Sequence, residues 1–167
     1  GDRMGDAPSQ AGSAAADVVV LGGGFGGLEA AFDLRMTVGE RAKITLVSDR
    51  DYFLFKPNSI YVPFGLDPEK LKVPLARPAA RKKIELVAGK ATGIDPAAHT
   101  VEADGRSIPY DFLVVATGAE MRAAEVPGLA EHAVTPWTPV EMLRLRAGFQ
   151  GLLDAAGARS EERRVGK

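Results

Sequence analysis

Three glycines, Gly22, Gly24 and Gly27, follow an apolar run and open a segment with helical periodicity. Their G-x-G-x-x-G spacing lets the chain turn sharply, lets an anion approach the backbone and lets a helix pack closely on a strand. The backbone N–H groups at the start of such a helix, together with its dipole, favour the negative charge of a phosphate. The spacing therefore predicts a cradle for the pyrophosphate of a dinucleotide.

The elements around the glycines have the order that such a cradle requires. Residues 17–21, DVVVL, carry four consecutive apolar residues after Asp17, as in a strand buried on both faces, and a helix is predicted over 26–36. A second apolar strand at 43–47 completes a strand–helix–strand unit with a right-handed crossover. An acidic side chain usually ends that second strand and holds the ribose hydroxyls. Ser48 and Asp49 stand there and are assigned this role jointly; the alternative is an exposed loop acid.

The rest of the chain predicts an α/β fold. An aromatic and proline-rich ordered loop is expected at 51–68, followed at 69–83 by a short helix broken near Pro74 and Pro78. Short strands separated by turns indicate an antiparallel β-meander at 84–87, 90–94, 99–103 and 106–109. An apolar strand at 111–116 and, after a proline-rich linker, a helix at 140–156 complete the prediction. The fold is therefore predicted as a Rossmann-like parallel sheet with an inserted antiparallel β-meander, forming part of a domain.

Composition excludes several classes of function. The chain has 167 residues, of which 46% are hydrophobic and 26% charged, as in an ordinary globular domain. A net charge of −1 gives no reason to expect a nucleic-acid partner. The absence of cysteine excludes disulfides and thiolate metal sites from this chain, and no metal site is predicted; His99 and His132 are expected at the surface. No apolar run reaches the roughly 18–20 residues of a membrane span.

Two stretches carry a resemblance to a known family. The glycine motif, the meander and the VVATG segment at 114–118 together resemble the two-dinucleotide-domain flavoprotein reductases of the pyridine nucleotide-disulfide oxidoreductase superfamily. Residues 44–65, ITLVSDRDYFLFKPNSIYVPFG, are similar to the sulfide:quinone reductases and their relatives, the type II NADH dehydrogenases and flavocytochrome c sulfide dehydrogenases. Ser48 is more typical of the sulfide:quinone branch. The resemblance covers about residues 17–130 and implies FAD as the cofactor.

The resemblance also implies cofactor contacts, residue by residue. Four residues of the glycine motif would hold the FAD pyrophosphate: Gly22, Gly24, Phe25 and Gly27. The backbone of Ala91 would hydrogen-bond adenine, Lys56 and Pro57 would lie near the isoalloxazine ring, and Thr117 and Gly118 would pack on the cofactor. For Lys56 the alternative is a surface lysine. Four aromatic residues of the 51–68 loop are expected in the loop core rather than against flavin or quinone: Tyr52, Phe53, Phe55 and Tyr61.

The activity that the resemblance implies is electron transfer by a longer, FAD-dependent oxidoreductase. Its donor would be sulfide or NADH and its acceptor a quinone, in a cytoplasmic protein with peripheral association at the inner face of the membrane. Sulfide oxidisers use a redox cysteine pair with one member soon after the Ala-Thr-Gly turn, and residues 119–158 contain none. The cysteine pair of the soluble disulfide reductases would belong where Lys56-Pro57-Asn58 stands. No residue is predicted to be catalytic.

Two other functions stay open on the sequence alone. The chain would serve as a non-catalytic module that binds FAD or another dinucleotide, inactive by itself. An NAD(P)-only Rossmann protein is disfavoured by the meander and the returning Ala-Thr-Gly strand.

Four segments are predicted along the chain. Residues 1–16, rich in Gly, Ala and Ser, are expected to be disordered, and residues 17–120 to form the FAD-binding domain. Residues 121–158 are expected to form a linker and helix that lead to a second nucleotide domain. The last segment, RSEERRVGK at 159–167, resembles the translation of a sequencing adapter; the alternative is a solvated basic helix end.

Overall fold

The computed structural model describes residues 14–165, with side chains as far as Arg159. The first half contains β1 (Ala16–Leu21), α1 (Phe25–Val38), β2 (Ala42–Ser48), β3 (Tyr52–Leu54), a 3-10 helix (Lys56–Phe64), a second 3-10 helix (Pro68–Leu71), β4 (Lys72–Pro74) and α2 (Ala76–Arg81). The second half contains β5 (Ile84–Ala88), β6 (Ala91–Asp95), β7 (Thr100–Ala103), β8 (Arg106–Pro109), β9 (Phe112–Val115), α3 (Leu129–His132) and α4 (Pro139–Val165).

A four-stranded parallel sheet, ordered β5–β2–β1–β9, forms the centre of the nucleotide-binding part of the chain. Successive side chains of β1 point to opposite faces, as strand geometry requires. Val18 and Val20 pack in a cluster with Ala31 of α1, whereas Val19 packs in a second cluster with Val101 of β7. Burial on both faces explains why the strand reads as a continuous apolar run. The predicted α/β fold with a parallel sheet is confirmed.

Three of the four strands predicted for the meander are present as the antiparallel sheet β6–β7–β8. The first, predicted at 84–87, is instead β5, which pairs parallel with β2 and extends the central sheet. The β7–β8 turn is formed by Asp104 and Gly105, which both have positive φ, as expected for a two-residue hairpin turn. Val101 and Ile108 face each other across β7 and β8 and are both buried. The meander therefore supplies the apolar layer that covers one face of the parallel sheet.

Arg35 ties the end of α1 to the strands beside it. Its guanidinium donates to the carbonyl of Ala42, at 2.8 Å, to that of Lys83, also at 2.8 Å, and to that of Gly39. These acceptors lie at the end of α1, at the start of β2 and just before β5. The side chain thus fixes the helix relative to the sheet at the end opposite to the glycine turn.

Two predictions for residues 51–83 are wrong in part. The predicted loop at 51–68 contains β3 and the 3-10 helix Lys56–Phe64, because Pro57 occupies the first turn of that helix, where a missing N–H is tolerated. The predicted helix at 69–83 is instead a 3-10 turn, the strand β4 and the short helix α2. Pro78 does not break α2, since it too lies in the first turn.

A smaller core holds the 3-10 helix Lys56–Phe64 against α4. Leu54, Val62 and Leu71 are buried together with Met142, a fully buried side chain of α4. The helix α4 begins one residue before the predicted start and continues to Val165, beyond the predicted end at residue 156.

The described chain divides into two compact units. The first consists of the residues up to Asp51 together with Ala76–Thr117, and the second of Tyr52–Leu75 together with the residues from Gly118 onward. The predicted domain at 17–120 remains a prediction. Most of the predicted disordered segment lies outside the described residues, although its last residue, Ala16, opens β1. Within residues 14–165, no helix combines the length and the apolar character needed to cross a bilayer.

Candidate functional site: the glycine turn and the strand ends

The glycine turn lies where the carboxyl ends of the parallel strands are joined by backbone hydrogen bonds. The N–H of Gly22 donates to Val47 at 2.8 Å, and that of Ala116 donates to Leu21 at 2.8 Å. The N–H of Gly89 donates to Ser48 at 2.7 Å. These bonds fix the ends of β1, β2, β5 and β9 at one edge of the sheet. This edge is where open α/β sheets bind their ligands.

Gly22 and Gly27 are required by the packing of the protein itself. Gly22 has a φ of +112°, and a Cβ there would lie 2.2 Å from the carbonyl oxygen of Ala116. A Cβ on Gly27 would lie 1.8 Å from the carbonyl oxygen of Gly22. Both distances are far below any van der Waals contact, so these two glycines allow α1 and β9 to approach the turn.

Gly24 differs, because a Cβ added there would meet no atom of the described chain within 4 Å. It is exposed, has an extended backbone and caps α1 without a side-chain hydrogen bond. The first N–H groups of an α-helix have no intrahelical acceptor, and its dipole favours negative charge there. The space at Gly24 therefore fits a phosphate group that approaches the backbone. Phe25 follows it with 54% of its surface exposed.

Ser48 and Asp49 end β2 in different environments. Ser48 is only 2% exposed, and its hydroxyl accepts a hydrogen bond from the N–H of Arg50 at 3.3 Å. Asp49 is exposed and forms an ion pair with Arg50 at 3.3 Å. The geometry therefore gives Ser48 a role in shaping the turn and leaves the Asp49 carboxylate accessible to a ribose. Their joint role stays a prediction.

The remaining predicted contacts of the first unit lie beside the sheet. Ala91 is half-buried as the first residue of β6 and pairs with Ala103, next to an irregularity in the ladder. Thr117 is exposed just after β9. Gly118, which the second unit includes, has a φ of +79° with open space around it. Whether these residues contact a cofactor stays a prediction.

Lys56 and Pro57 begin the 3-10 helix of the second unit. The Lys56 ammonium lies 3.9 Å from the centre of the Trp137 ring, a cation–π contact. Pro57 is exposed. Sequence reasoning missed Trp137, because no spacing rule relates residues that lie so far apart in the chain.

The aromatic residues of the 51–68 segment divide into two groups. Tyr52 packs against the small core, and Phe53 contacts Phe55 edge to face at 6.4 Å between ring centres. Phe55 and Tyr61 are exposed, so their predicted place in the loop core is wrong. The buried residues of that stretch are Leu54 of β3, Ser59 and Val62 on the inner side of the 3-10 helix, and Pro68.

The histidines and the perturbed carboxyl groups lie outside the predicted cofactor segments. His99 stacks on Tyr110 at 5.4 Å between ring centres, and His132 is exposed. Hydrogen bonds from Thr135 and Thr138 lower the pKa of Glu141, and a hydrogen bond from Lys83 lowers that of Glu40. Among residues 14–165 no group of His, Asp and Glu is arranged to hold a metal ion.

Comparison with known proteins places this geometry in a family. The sulfide-quinone reductase of Aquifex aeolicus is 44% identical over 106 residues, which are 62% of this chain and 24% of that protein. A type II NADH:quinone oxidoreductase of Mycobacterium tuberculosis is 34% identical over 145 residues, 83% of this chain and 30% of that protein. The X-ray structure of the sulfide:quinone oxidoreductase from Aquifex aeolicus matches with a TM-score of 0.77 and 38% identity, over 84% of this chain and 33% of that chain.

The chain therefore spans a quarter to a third of the length of these relatives. The resemblance predicted from the glycine motif and from residues 44–65 is confirmed. Residues 16–148 match the family described as pyridine nucleotide-disulphide oxidoreductase, and the chain belongs to this family.

Proposed function

We propose that this chain is the N-terminal, FAD-binding part of a longer flavin-dependent oxidoreductase. The observation that supports the proposal most strongly is the glycine turn. The space beside Gly22 and Gly27 is occupied by the protein's own backbone, whereas the space beside Gly24 is open at the start of α1. A pyrophosphate needs this combination of free space, N–H donors and helix dipole.

The chain's own residues would bind and orient the cofactor. Gly24, Phe25 and the neighbouring Gly22 and Gly27 would surround the pyrophosphate. The Asp49 carboxylate would accept from the ribose hydroxyls, with Ser48 holding the turn beneath it. The backbone of Ala91 is proposed to bind adenine, and Lys56 and Pro57 to lie near the isoalloxazine ring. Thr117 and Gly118 are proposed to pack on the cofactor. A bound flavin would supply two-electron redox chemistry, which no side chain of this segment provides.

For the longer protein we propose electron transfer from sulfide or NADH to a quinone-type acceptor. Both donors appear in the names of relatives, a sulfide-quinone reductase and a type II NADH:quinone oxidoreductase. Sulfide oxidation would need cysteines outside this chain, which contains none. NADH oxidation would need a second nucleotide-binding domain. Peripheral association with the inner face of the membrane is part of the same proposal for the longer, cytoplasmic protein.

The proposal is tested by Gly24→Ala. The added methyl occupies the space proposed for phosphate, so we expect the Kd for FAD to rise about tenfold or more, which is about 1.4 kcal/mol. FAD binding is measured by titration with flavin absorbance and fluorescence, on this chain and on the longer protein. Gly148→Ala in α4 is the matched control, because its Cβ also meets no atom within 4 Å. Equal affinity of the two variants for FAD would contradict the proposed cradle.

The open space at Gly24 would equally serve a second candidate, a non-catalytic module that binds FAD or another dinucleotide. Flavin bound to the purified chain without bleaching by NADH or sulfide is the expected result for this candidate. Bleaching by either donor would exclude it. Retention of NADH without flavin uptake would instead indicate an NAD(P)-binding Rossmann protein.

A further inference from the structure

A groove lies within the second unit, between the end of the 3-10 helix and α4. Its volume is about 600 Å³, within the range of protein binding clefts. We call it the α4 groove, and it is lined by Pro63, Phe64, Gly65, Arg146, Phe149, Gln150, Leu152 and Leu153.

The walls of the α4 groove are held in place by packing below them. The rings of Phe64 and Phe149 stack with 6.0 Å between their centres. Beneath, Val62 of the 3-10 helix and Met142 of α4 share the small buried core. The two walls therefore form one fixed surface of the second unit rather than two independent segments.

The side chains of the α4 groove are unusually apolar for a surface exposed to water. Phe64 is 79% exposed, and Leu152 and Leu153 are each 66% exposed. Contiguous apolar surface of this kind marks a site where another molecule or another part of the chain binds. Arg146 also lines the groove, and its guanidinium would pair with a carboxylate or a backbone carbonyl.

We propose that an apolar segment of the longer protein, from the polypeptide that follows α4, docks in the α4 groove. This inference rests on the proposed function, in which the chain is the N-terminal part of a longer oxidoreductase. About two thirds of the related solved chain lies beyond the match, which covers 33% of it. The groove is built on α4, the last described helix, so the polypeptide that follows Val165 would turn back along α4 to reach it.

The test uses the absence of cysteine in this chain. A single thiol is introduced by Leu153→Cys, and its rate of reaction with a water-soluble maleimide is measured by peptide mass spectrometry in the 167-residue chain and in the longer protein. We expect the L153C thiol to react at least about tenfold more slowly in the longer protein, because burial removes it from solvent. Met36→Cys is the matched control, since Met36 is 71% exposed and lies on α1. The M36C thiol should react equally in both proteins.

Each other outcome overturns the proposal. Equal labelling of the L153C thiol in both proteins would show that no segment docks. Protection in the 167-residue chain that grows with its concentration would identify a second copy as the occupant. Protection that appears only with lipid vesicles would identify a membrane. A stop codon directly after Lys167 would remove the occupant. Flavin absorbance of the same samples tests the proposed function separately, since bound flavin with an unprotected L153C thiol overturns the docking alone.

Discussion

At the scale of single residues, the three glycines of one motif have different physical reasons for being glycine. Gly22 has a backbone conformation that favours glycine and contacts Ala116, and Gly27 contacts the carbonyl of Gly22. Gly24 is constrained by neither. The sequence spacing predicts all three, but only the structure separates the two that maintain the fold from the one that would serve a ligand.

This difference predicts effects of different size on stability for two substitutions of the same kind. Gly27→Ala should lower the free energy of unfolding by about 1–3 kcal/mol or more, because its methyl would collide with backbone at 1.8 Å. Gly24→Ala should change it by less than about 1 kcal/mol, since only the preference at the helix cap changes. Urea unfolding followed by circular dichroism measures both. Comparable losses in the two variants would contradict the assignment.

The sequence indicates which residues stand at the site but not their environments. Ser48 and Asp49 follow from the predicted end of β2, but the burial of Ser48 depends on its pairing with β5. The contact between Lys56 and Trp137 likewise joins parts of the chain that only the second unit brings together. Such contacts leave no local pattern in the sequence.

At the scale of elements, the start of α4 is a capping box. The hydroxyl of Thr138 accepts from the N–H of Glu141 at 3.2 Å, and the Glu141 carboxylate accepts from the N–H of Thr138 at 2.9 Å. Pro139 follows as the first helical residue. Thr135 donates a further hydrogen bond to the same carboxylate at 2.7 Å. This reciprocal arrangement satisfies N–H groups that the helix leaves unpaired.

Thr138→Ala should therefore lower the free energy of unfolding of the second unit by about 1 kcal/mol, whereas Thr138→Ser should retain the cap.

The hydrogen bonds lower the pKa of Glu141 from its usual value of 4.5. A lowered pKa in the folded state gives stability that is present above pH 4.5 and is lost as the pH falls through the folded-state pKa. Urea unfolding between pH 3 and pH 7 should thus show a shallower acid loss in Glu141→Gln than in the unsubstituted chain. Parallel acid limbs would contradict this role of Glu141.

The elements that the sequence predicted well are those whose burial leaves a strong pattern. The parallel strands β1 and β2 are buried on both faces over most of their length, and apolar residues predominate in them. The segment from Tyr52 to Leu75 was predicted poorly, because its strands have three residues each and its 3-10 helices tolerate proline at their first turns. Short elements of this kind are held by packing, which the local sequence does not encode.

At the scale of the whole molecule, the described chain leaves one edge of the parallel sheet with apolar side chains in solvent. Within residues 14–165, β9 lies at that edge and pairs with β1 only. Phe112 is 63% exposed and Val115 is 59% exposed. An edge strand presents unpaired N–H and C=O groups, and apolar side chains beside them favour pairing with another chain. The net charge of −1 offers little repulsion against such contact.

We therefore predict that the 167-residue chain self-associates through β9, and that Phe112→Glu weakens this association. A charge beside the edge should shift the association to about fivefold higher concentration, the effect of about 1 kcal/mol. Sedimentation velocity over a concentration series provides the measurement. Met36→Glu is the matched control, because it adds the same charge at an exposed apolar position on α1, away from the sheet edge. If both variants weaken association equally, repulsion between whole molecules is the cause and the edge of β9 is not.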